Sequence, residues 1–246
     1  MKYKQKYLDK LYKDPVTNFT EIVDISIYLD NIGELDYGCE AVAAIESLDP
    51  ITISNLLIED LKNRKKDDFD NYGYQAIWFG LFNCGIKDIY NNLSNNLNKQ
   101  MICLFIYWIN EILEPDDPPY IAIQKIFKHI YSKPIKNFSK IVDLVIYFED
   151  IDELDYSSEA VAAIQQLEDE IIANMLIEDL PNRTTESIKN YGYQRLWWSL
   201  INTEKETVYQ IIKDNMSPFI QQMFKYWLEE ELDPDVETFH NIKNLI

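Results

Sequence analysis

The chain has 246 residues, of which 47% are hydrophobic and 13% aromatic, and this supply of apolar side chains excludes an intrinsically disordered protein. A formal net charge of −19, from 42 acidic and 23 basic residues, argues against direct binding to nucleic acid, because phosphates attract a positive surface. No stretch is apolar for the roughly 20 residues that a membrane span requires, and residues 1–13 lack the pattern of a signal peptide, so we expect a soluble, cytoplasmic protein.

The sequence contains a long internal repeat. Residues 33–45, GELDYGCEAVAAI, return at residues 152–164 as DELDYSSEAVAAI, and the same offset pairs Trp108 with Trp227. We therefore interpret the chain as a tandem duplication of a ~119-residue multi-helix unit. The first repeat covers residues 1–119, the second covers residues 120–238, and residues 239–246 form a C-terminal tail. The proline-rich residues 114–119 predict a tight corner at the seam.

Apolar residues recur at helical spacing along each repeat, and no segment alternates as a strand does. In the first repeat the predicted helices are, in chain order, residues 3–12, 19–29, a segment after Gly33 that includes 41–45, 50–64, 67–82, 88–95 and 101–113. Asp36 and Asp155 are placed to cap the helix that follows the Gly33 or Asp152 position. The prediction for the whole chain is all-α, with about fourteen helices.

Two resemblances bear on the fold and the function. The segment Ala-Val-Ala-Ala-Ile-Glu-Ser-Leu-Asp at residues 41–49 resembles the inner helix of HEAT-type repeats, which implies α-solenoid stacking of helices. In its acidic, all-helical character and its content of Asn, Lys and Ile, the chain is similar to immunity proteins that neutralise bacterial toxins. Neither resemblance transfers particular residues.

No catalytic or metal-binding pattern is present in the sequence. His129 and His240 occupy unrelated places in the repeats, and there is no glycine-rich phosphate loop or Gly-x-Ser-x-Gly motif. Cysteines occur only in the first repeat, which argues against a disulfide framework or a metal site essential to the fold. We therefore predict no enzyme activity, no cofactor and no metal.

Each repeat carries an acidic cluster at the start of a predicted helix. We call these the first acidic corner, which is Glu34, Asp36, Tyr37 and Glu40, and the second acidic corner, which is Glu153, Asp155, Tyr156 and Glu159. Carboxylates around an exposed tyrosine suit a guanidinium or ammonium group through charge-assisted hydrogen bonds and cation–π contact. The alternative is that the aspartates cap helices, the glutamates are solvated and the tyrosines pack in the core.

A second pair of candidates surrounds the repeated Asn-Tyr-Gly-Tyr-Gln motif. A glycine within a helix costs about 1 kcal/mol relative to alanine, so either a neighbouring helix crosses closely there or the motif faces a partner. On the second view the contact residues are Asn71, Tyr72, Gln75, Asn190, Tyr191 and Gln194. All five tryptophans have the helical spacing of core residues, but Trp198 joins this set because its counterpart is Phe79 and because Arg195 replaces Ala76 nearby. Arg64 and Arg183 are predicted to pair with Asp60 and Asp179 or with helix-end carbonyls.

These observations favour a non-enzymatic, acidic protein-binding module, namely an immunity protein that occludes the basic surface of a cognate bacterial toxin. A DNA-mimic inhibitor of a nucleic-acid-binding enzyme and a helical-repeat scaffold for peptides are the alternatives. A third is an enzyme that uses carboxylates in an interhelical cleft. The acidity is also consistent with solubility alone.

Overall fold

The computed structural model describes residues 5–246, except for the side chains of Leu35 and Tyr37. It is all-α, as predicted, and the described residues contain no strand. They form seventeen α-helices: α1 Gln5–Leu11, α2 Phe19–Asn31, α3 Leu35–Glu46, α4 Pro50–Asp60, α5 Lys66–Phe69, α6 Tyr72–Asn83, α7 Lys87–Asn95, α8 Lys99–Glu111, α9 Pro118–Tyr131, α10 Phe138–Asp150, α11 Leu154–Gln165, α12 Asp169–Asp179, α13 Thr185–Lys189, α14 Tyr191–Ile201, α15 Glu206–Asp214, α16 Pro218–Tyr226 and α17 Glu237–Leu245. Short 3₁₀ turns, Leu61–Asn63 and Leu180–Asn182, extend α4 and α12, and a π-helical turn, Trp227–Glu231, follows α16.

The count differs from the predicted fourteen for two reasons. The helix predicted over residues 67–82 is two helices, α5 and α6, because Asn71 adopts an extended backbone and caps α6; Asn190 separates α13 from α14 in the same way. Of the residues assigned to a C-terminal tail, 239–245 belong to helix α17, in which Ile242 is buried. Periodicity alone missed the two helix breaks, since it does not register a break of one or two residues between two apolar segments.

The chain divides into two compact units, unit 1 ending at His129 and unit 2 spanning Ile130–Ile246. The predicted seam at residues 119 and 120 therefore falls at the start of α9, and the division lies within that helix. A sequence comparison explains the difference. At the repeat offset, residues 118–126 match α17 and residues 124–130 match α1, so α9 combines the last helix of one repeat with the first helix of the next.

In unit 1, α2 packs against both α3 and α6, α4 packs against α7, and α5 packs against α6 and α8. The core centres on Trp78, whose indole lies edge-on to Phe105 and Trp108 at ring-centroid distances of 5.8 and 6.0 Å. All three side chains are fully buried. Such edge-to-face contacts add to the stabilisation that comes from burying the rings.

Unit 2 shows the same local pattern at the matched positions. Helix α10 packs against α11 and α14, and α12 packs against α15. Trp197 lies edge-on to Phe224 and Trp227 at 6.0 and 6.5 Å, and all three are buried. The prediction that the matched tryptophans belong to the core is confirmed for these positions and for Trp78 and Trp108.

Among the described residues, no single helix has both the length and the apolar composition needed to cross a membrane. Two successive segments, Gly38–Glu46 and Pro50–Asn63, meet those criteria together, and they are bent by 120° relative to each other.

Candidate functional site

The acidic corners are formed by the turns that join α2 to α3 and α10 to α11. Gly33 has a φ of 74°, and its counterpart Asp152 has a φ of 62°, so the chain reverses through a left-handed residue in both units. Glu34 and Glu153 occupy the N-cap positions, but neither side chain bonds to a helix amide. The prediction that Asp36 and Asp155 cap these helices is wrong, because each helix begins one residue earlier and the aspartate lies within its first turn.

Solvent reaches most of the first acidic corner. Glu34, Asp36 and Glu40 are exposed, while the side chain of Tyr37 lies outside the described residues. The carboxylates of Glu34 and Asp36 form no ion pair with any described residue, and Gln5 Nε2 donates to Glu40 Oε2 at 3.5 Å. This corner therefore presents negative charge that the described part of unit 1 leaves uncompensated.

The second acidic corner is less open. Asp155 and Glu159 are exposed, whereas Glu153 and Tyr156 are half-buried. The ring of Tyr156 packs on Phe148 with centroids 5.4 Å apart. The expectation of an exposed tyrosine among carboxylates thus fails for Tyr156, because α10 and α11 close over its ring.

The corner glutamates also lie close to shielded tyrosine hydroxyls. Burial and then the charges of Glu40 and Asp9 raise the pKa of Tyr12 to about 12. Burial, followed by the charges of Glu159 and Tyr156, likewise raises the pKa of Tyr131. The glutamates therefore favour the neutral form of the phenol in both units.

Asn71 and Asn190 have structural roles. Each side-chain oxygen accepts the amide of the third residue of the helix, Tyr74 or Tyr193, at 3.1 Å. The Nδ2 group of Asn71 donates to the carbonyl of Ile27 at 3.2 Å, and both asparagines are buried. The expectation that they lie on an accessible face is corrected: they cap α6 and α14 and fasten them to the preceding helices.

Gln75 and Gln194 are also buried, which corrects the same expectation for them. Gln75 Nε2 donates to the carbonyl of Phe69 at 3.1 Å, and Trp108 Nε1 donates to the same oxygen at 2.8 Å. In unit 2, Gln194 and Trp227 converge in the same way on the carbonyl of Ile188. The glutamine amide and the indole N–H thus satisfy the backbone carbonyl that the helix break leaves without a helical partner. The sequence did not reveal this break.

Tyr72 and Tyr191, by contrast, are exposed, with 67% and 53% of their surface accessible to solvent. Both are the first residue of a helix, so the side chain projects from the helix end while the next residue, a glycine, is buried. The amide of Tyr72 donates to Asp30 Oδ2 at 3.2 Å, which places the start of α6 at the end of α2.

Trp198 is half-buried and packs edge-on against Tyr191 and Trp227, with centroids 5.9 and 6.2 Å apart. Its indole N–H is buried and has no hydrogen-bond partner among the described residues. The Trp198 indole therefore packs against the ring of the exposed Tyr191.

A cavity of about 390 Å³ in unit 1 lies beside the Asn-Tyr-Gly-Tyr-Gln motif. It lies between α2, α3 and α6. The lining residues are Ser26, Asp30, Gly38, Cys39, Val42, Glu46, Tyr72, Gly73 and Ala76. Of these, only Tyr72 was a predicted site residue, because the sequence gives no signal of which helix faces meet. In the described part of the chain, no group of three or more His, Cys, Asp or Glu side chains could hold a metal ion.

No protein-family model matches the chain, and no curated protein or solved structure does so either.

Proposed function

We propose that the chain is a non-enzymatic binding protein that uses its acidic surface to recognise a basic protein. The observation that carries this proposal is the group of exposed carboxylates at the first acidic corner, of which Glu34 and Asp36 form no ion pair with any described residue. The exposed Tyr72 of the same unit is a second candidate contact. Tyrosine is one of the side chains most often found among the residues that carry the binding energy of a protein interface. The negative charge steers a cationic partner toward it.

The distribution of arginine supports the same proposal. Arg64 and Arg183 are directed inward, each to two aspartates of its own unit, so they do not neutralise the acidic corners. The net charge of −19 is thus carried largely by accessible side chains. A basic partner gains from this arrangement, whereas nucleic acid is repelled.

In its specific form, the proposal is that the protein is a cytoplasmic immunity protein that occludes the basic surface of a cognate toxin. The HEAT-like stacking of two duplicated modules belongs to this proposal too, since a stacked helical array offers a long surface for such a partner. Small-angle scattering of the whole chain tests the stacking independently of any partner.

The test of the function is a binding measurement with a matched charge control. Crosslinking in the source cells identifies the partner, and calorimetry with the purified partner then compares two triple variants. One is Glu34→Gln/Asp36→Asn/Glu40→Gln at the first acidic corner. The control is Asp116→Asn/Glu204→Gln/Glu229→Gln, which removes three exposed charges elsewhere.

We expect the corner variant to weaken binding about tenfold or more and the control to change it by less than about threefold. If the two variants weakened binding equally, the negative charge would act only as a general polyanion effect, and the proposal would be wrong. Displacement of the chain by duplex DNA at equal charge would instead favour the DNA-mimic alternative.

A further inference from the structure

We propose that the unit 1 cavity binds a linear aliphatic polyamine, with its hydrocarbon chain along α6 and its ammonium groups at Asp30 and Glu46. This inference stands apart from the proposed function, since it concerns a small molecule and needs no protein partner.

The two carboxylates lie at opposite ends of the cavity. Asp30 is at the start of α6, where its Oδ2 accepts the amide of Tyr72. Glu46 is farther along the same helix, where its carboxylate lies against the position that a Cβ of Gly80 would occupy. Tyr72 and Gly80 are eight residues apart, which at 1.5 Å per residue is about 12 Å. A single ammonium group cannot reach both ends, whereas a linear polyamine can.

The wall between the two carboxylates is predominantly apolar. Val42 and Ala76 line it together with the backbone of Gly38 and Gly73 and the ring of Tyr72. Methylene groups gain from contact with such a wall, and an ammonium group at each end gains from the carboxylate there. No lysine or arginine is among the lining residues, so the negative charge of the cavity is not neutralised from within.

A buried hydroxyl provides an independent indication of a ligand. Ser26 lines the cavity with none of its surface exposed to solvent, and its Oγ has no hydrogen-bond partner among the described residues. Buried polar side-chain atoms nearly always have a partner. This oxygen is covered by α6 in the structure, so a rotation of the Ser26 side chain brings it to the cavity surface, where a secondary or primary ammonium group would donate to it.

The matched positions of unit 2 differ in the way that this proposal requires. Gln165 replaces Glu46, Arg195 replaces Ala76 and Val145 replaces Ser26. One carboxylate is lost, a cation is added and the hydroxyl becomes a methyl group that fills space. Val145 Cγ1 lies 2.7 Å from where a Cβ on Gly192 would be, so a methyl group takes the place that the Ser26 hydroxyl occupies beside Gly73 in unit 1.

The experiment is calorimetry of the full chain with spermidine, with n-butylamine as the singly charged comparison and an acetylated lysine amide as the mimic of a protein side chain. Three variants accompany the wild type. Glu46→Gln and Ala76→Arg introduce the residues that unit 2 carries, and Glu229→Gln removes an exposed charge elsewhere as the control. Urea unfolding verifies that each variant is folded.

We expect one spermidine per chain, binding at least about tenfold more tightly than n-butylamine, because two carboxylates act on it. Glu46→Gln and Ala76→Arg should each weaken spermidine binding about tenfold, and Glu229→Gln should leave it unchanged. Since Glu46 is exposed, its variant remains informative if Ala76→Arg fails to fold.

Protection of Cys39 from iodoacetamide by spermidine provides a second readout, because this exposed thiol lines the cavity. Cys84→Thr and Cys103→Gln, the residues present at the matched positions of the second repeat, remove the other thiols beforehand. Several weak sites, equal losses in Glu46→Gln and Glu229→Gln, or tighter binding of the lysine mimic than of spermidine would each overturn the proposal.

Discussion

Arg64 donates two parallel hydrogen bonds to Asp60, from Nε to Oδ2 at 2.7 Å and from Nη2 to Oδ1 at 2.6 Å. Its Nη1 group donates to Asp24 of α2 at 2.6 Å, so one guanidinium ties the end of α4 to α2. Burial alone would lower the pKa of Arg64, but the hydrogen bonds to the two aspartates raise it. Arg183 holds Asp179 and Asp143 in the same arrangement in unit 2, and the predicted pairing of these arginines is confirmed.

Replacing this arginine tests how much the buried pair matters. Arg64→Met should lower the free energy of unfolding by about 3–5 kcal/mol, because it leaves the fully buried carboxylate of Asp60 unpaired. Lys62→Met removes only the exposed pair with Glu59 and should cost less than about 1 kcal/mol. Urea unfolding measures both. The prediction fails if the two variants are equally stable, or if Arg64→Met/Asp60→Leu is no more stable than Arg64→Met.

The close approach of α2 and α6 at Gly73 gives a second prediction. A Cβ on Gly73 would lie 2.6 Å from Ser26 Oγ and 2.8 Å from the Ser26 carbonyl oxygen, and backbone cannot yield as a flexible side chain does. Gly73→Ala should therefore destabilise the chain by about 1–3 kcal/mol. Gly38→Ala meets nothing closer than 4.0 Å and should be neutral or slightly stabilising. Equal melting temperatures for the two variants would show that the helices do not meet at Gly73.

The two neighbouring residues at the start of α6 should respond differently to truncation. Asn71→Ala removes the cap and the bond to Ile27, and we expect a loss of about 1–2 kcal/mol in the free energy of unfolding. Tyr72→Ala, at an exposed side chain, should change stability by less than about 0.5 kcal/mol while weakening partner binding. A loss of stability in Tyr72→Ala that matched Asn71→Ala would mean that the tyrosine serves the fold and not an interface.

Buried tyrosines predict a loss of stability at alkaline pH. The pKa of Tyr12 is raised to about 12, and burial also raises the pKa values of Tyr74 and Tyr193. Above pH 10 the unfolded chain has released these protons while the folded chain retains them, so the unfolded state binds fewer protons and stability falls as the pH rises. The stabilisation is complete below pH 10, and the part that Tyr12 contributes is lost between pH 10 and about 12.

The variant Tyr74→Phe/Tyr193→Phe isolates this effect. Both hydroxyls are buried without a hydrogen-bond partner among the described residues, so their removal should be tolerated at neutral pH. Between pH 10 and 11, the free energy of unfolding should fall by less in the double variant than in the wild type. We expect the difference, measured by urea unfolding, to be up to about 1.4 kcal/mol per removed tyrosine. If the free energy of unfolding fell with pH as steeply in the double variant as in the wild type, the alkaline sensitivity would belong to other groups.

The helical class and the repeat in the sequence can be read without the tertiary structure, and for that reason the sequence by itself determined them. Helical periodicity depends on residues three and four positions apart. For Arg64 the sequence left two alternatives, a pair with Asp60 or bonds to helix-end carbonyls. Arg64 follows the 3₁₀ turn with an extended backbone, and from there its guanidinium reaches back to Asp60 at the end of α4. The repeat offset needs only a comparison of the chain with itself.

Tertiary structure decided which of the repeated residues are accessible. The polar side chains of Asn71 and Gln75 are equally suited to a buried position and to the surface. They are buried because α6 crosses α2 closely at Gly73. The cavity beside them depends on side chains from three helices that are distant along the chain, among them Ser26 and Glu46. Burial and cavities are set by contacts between such distant segments, so no local pattern in the sequence encodes them.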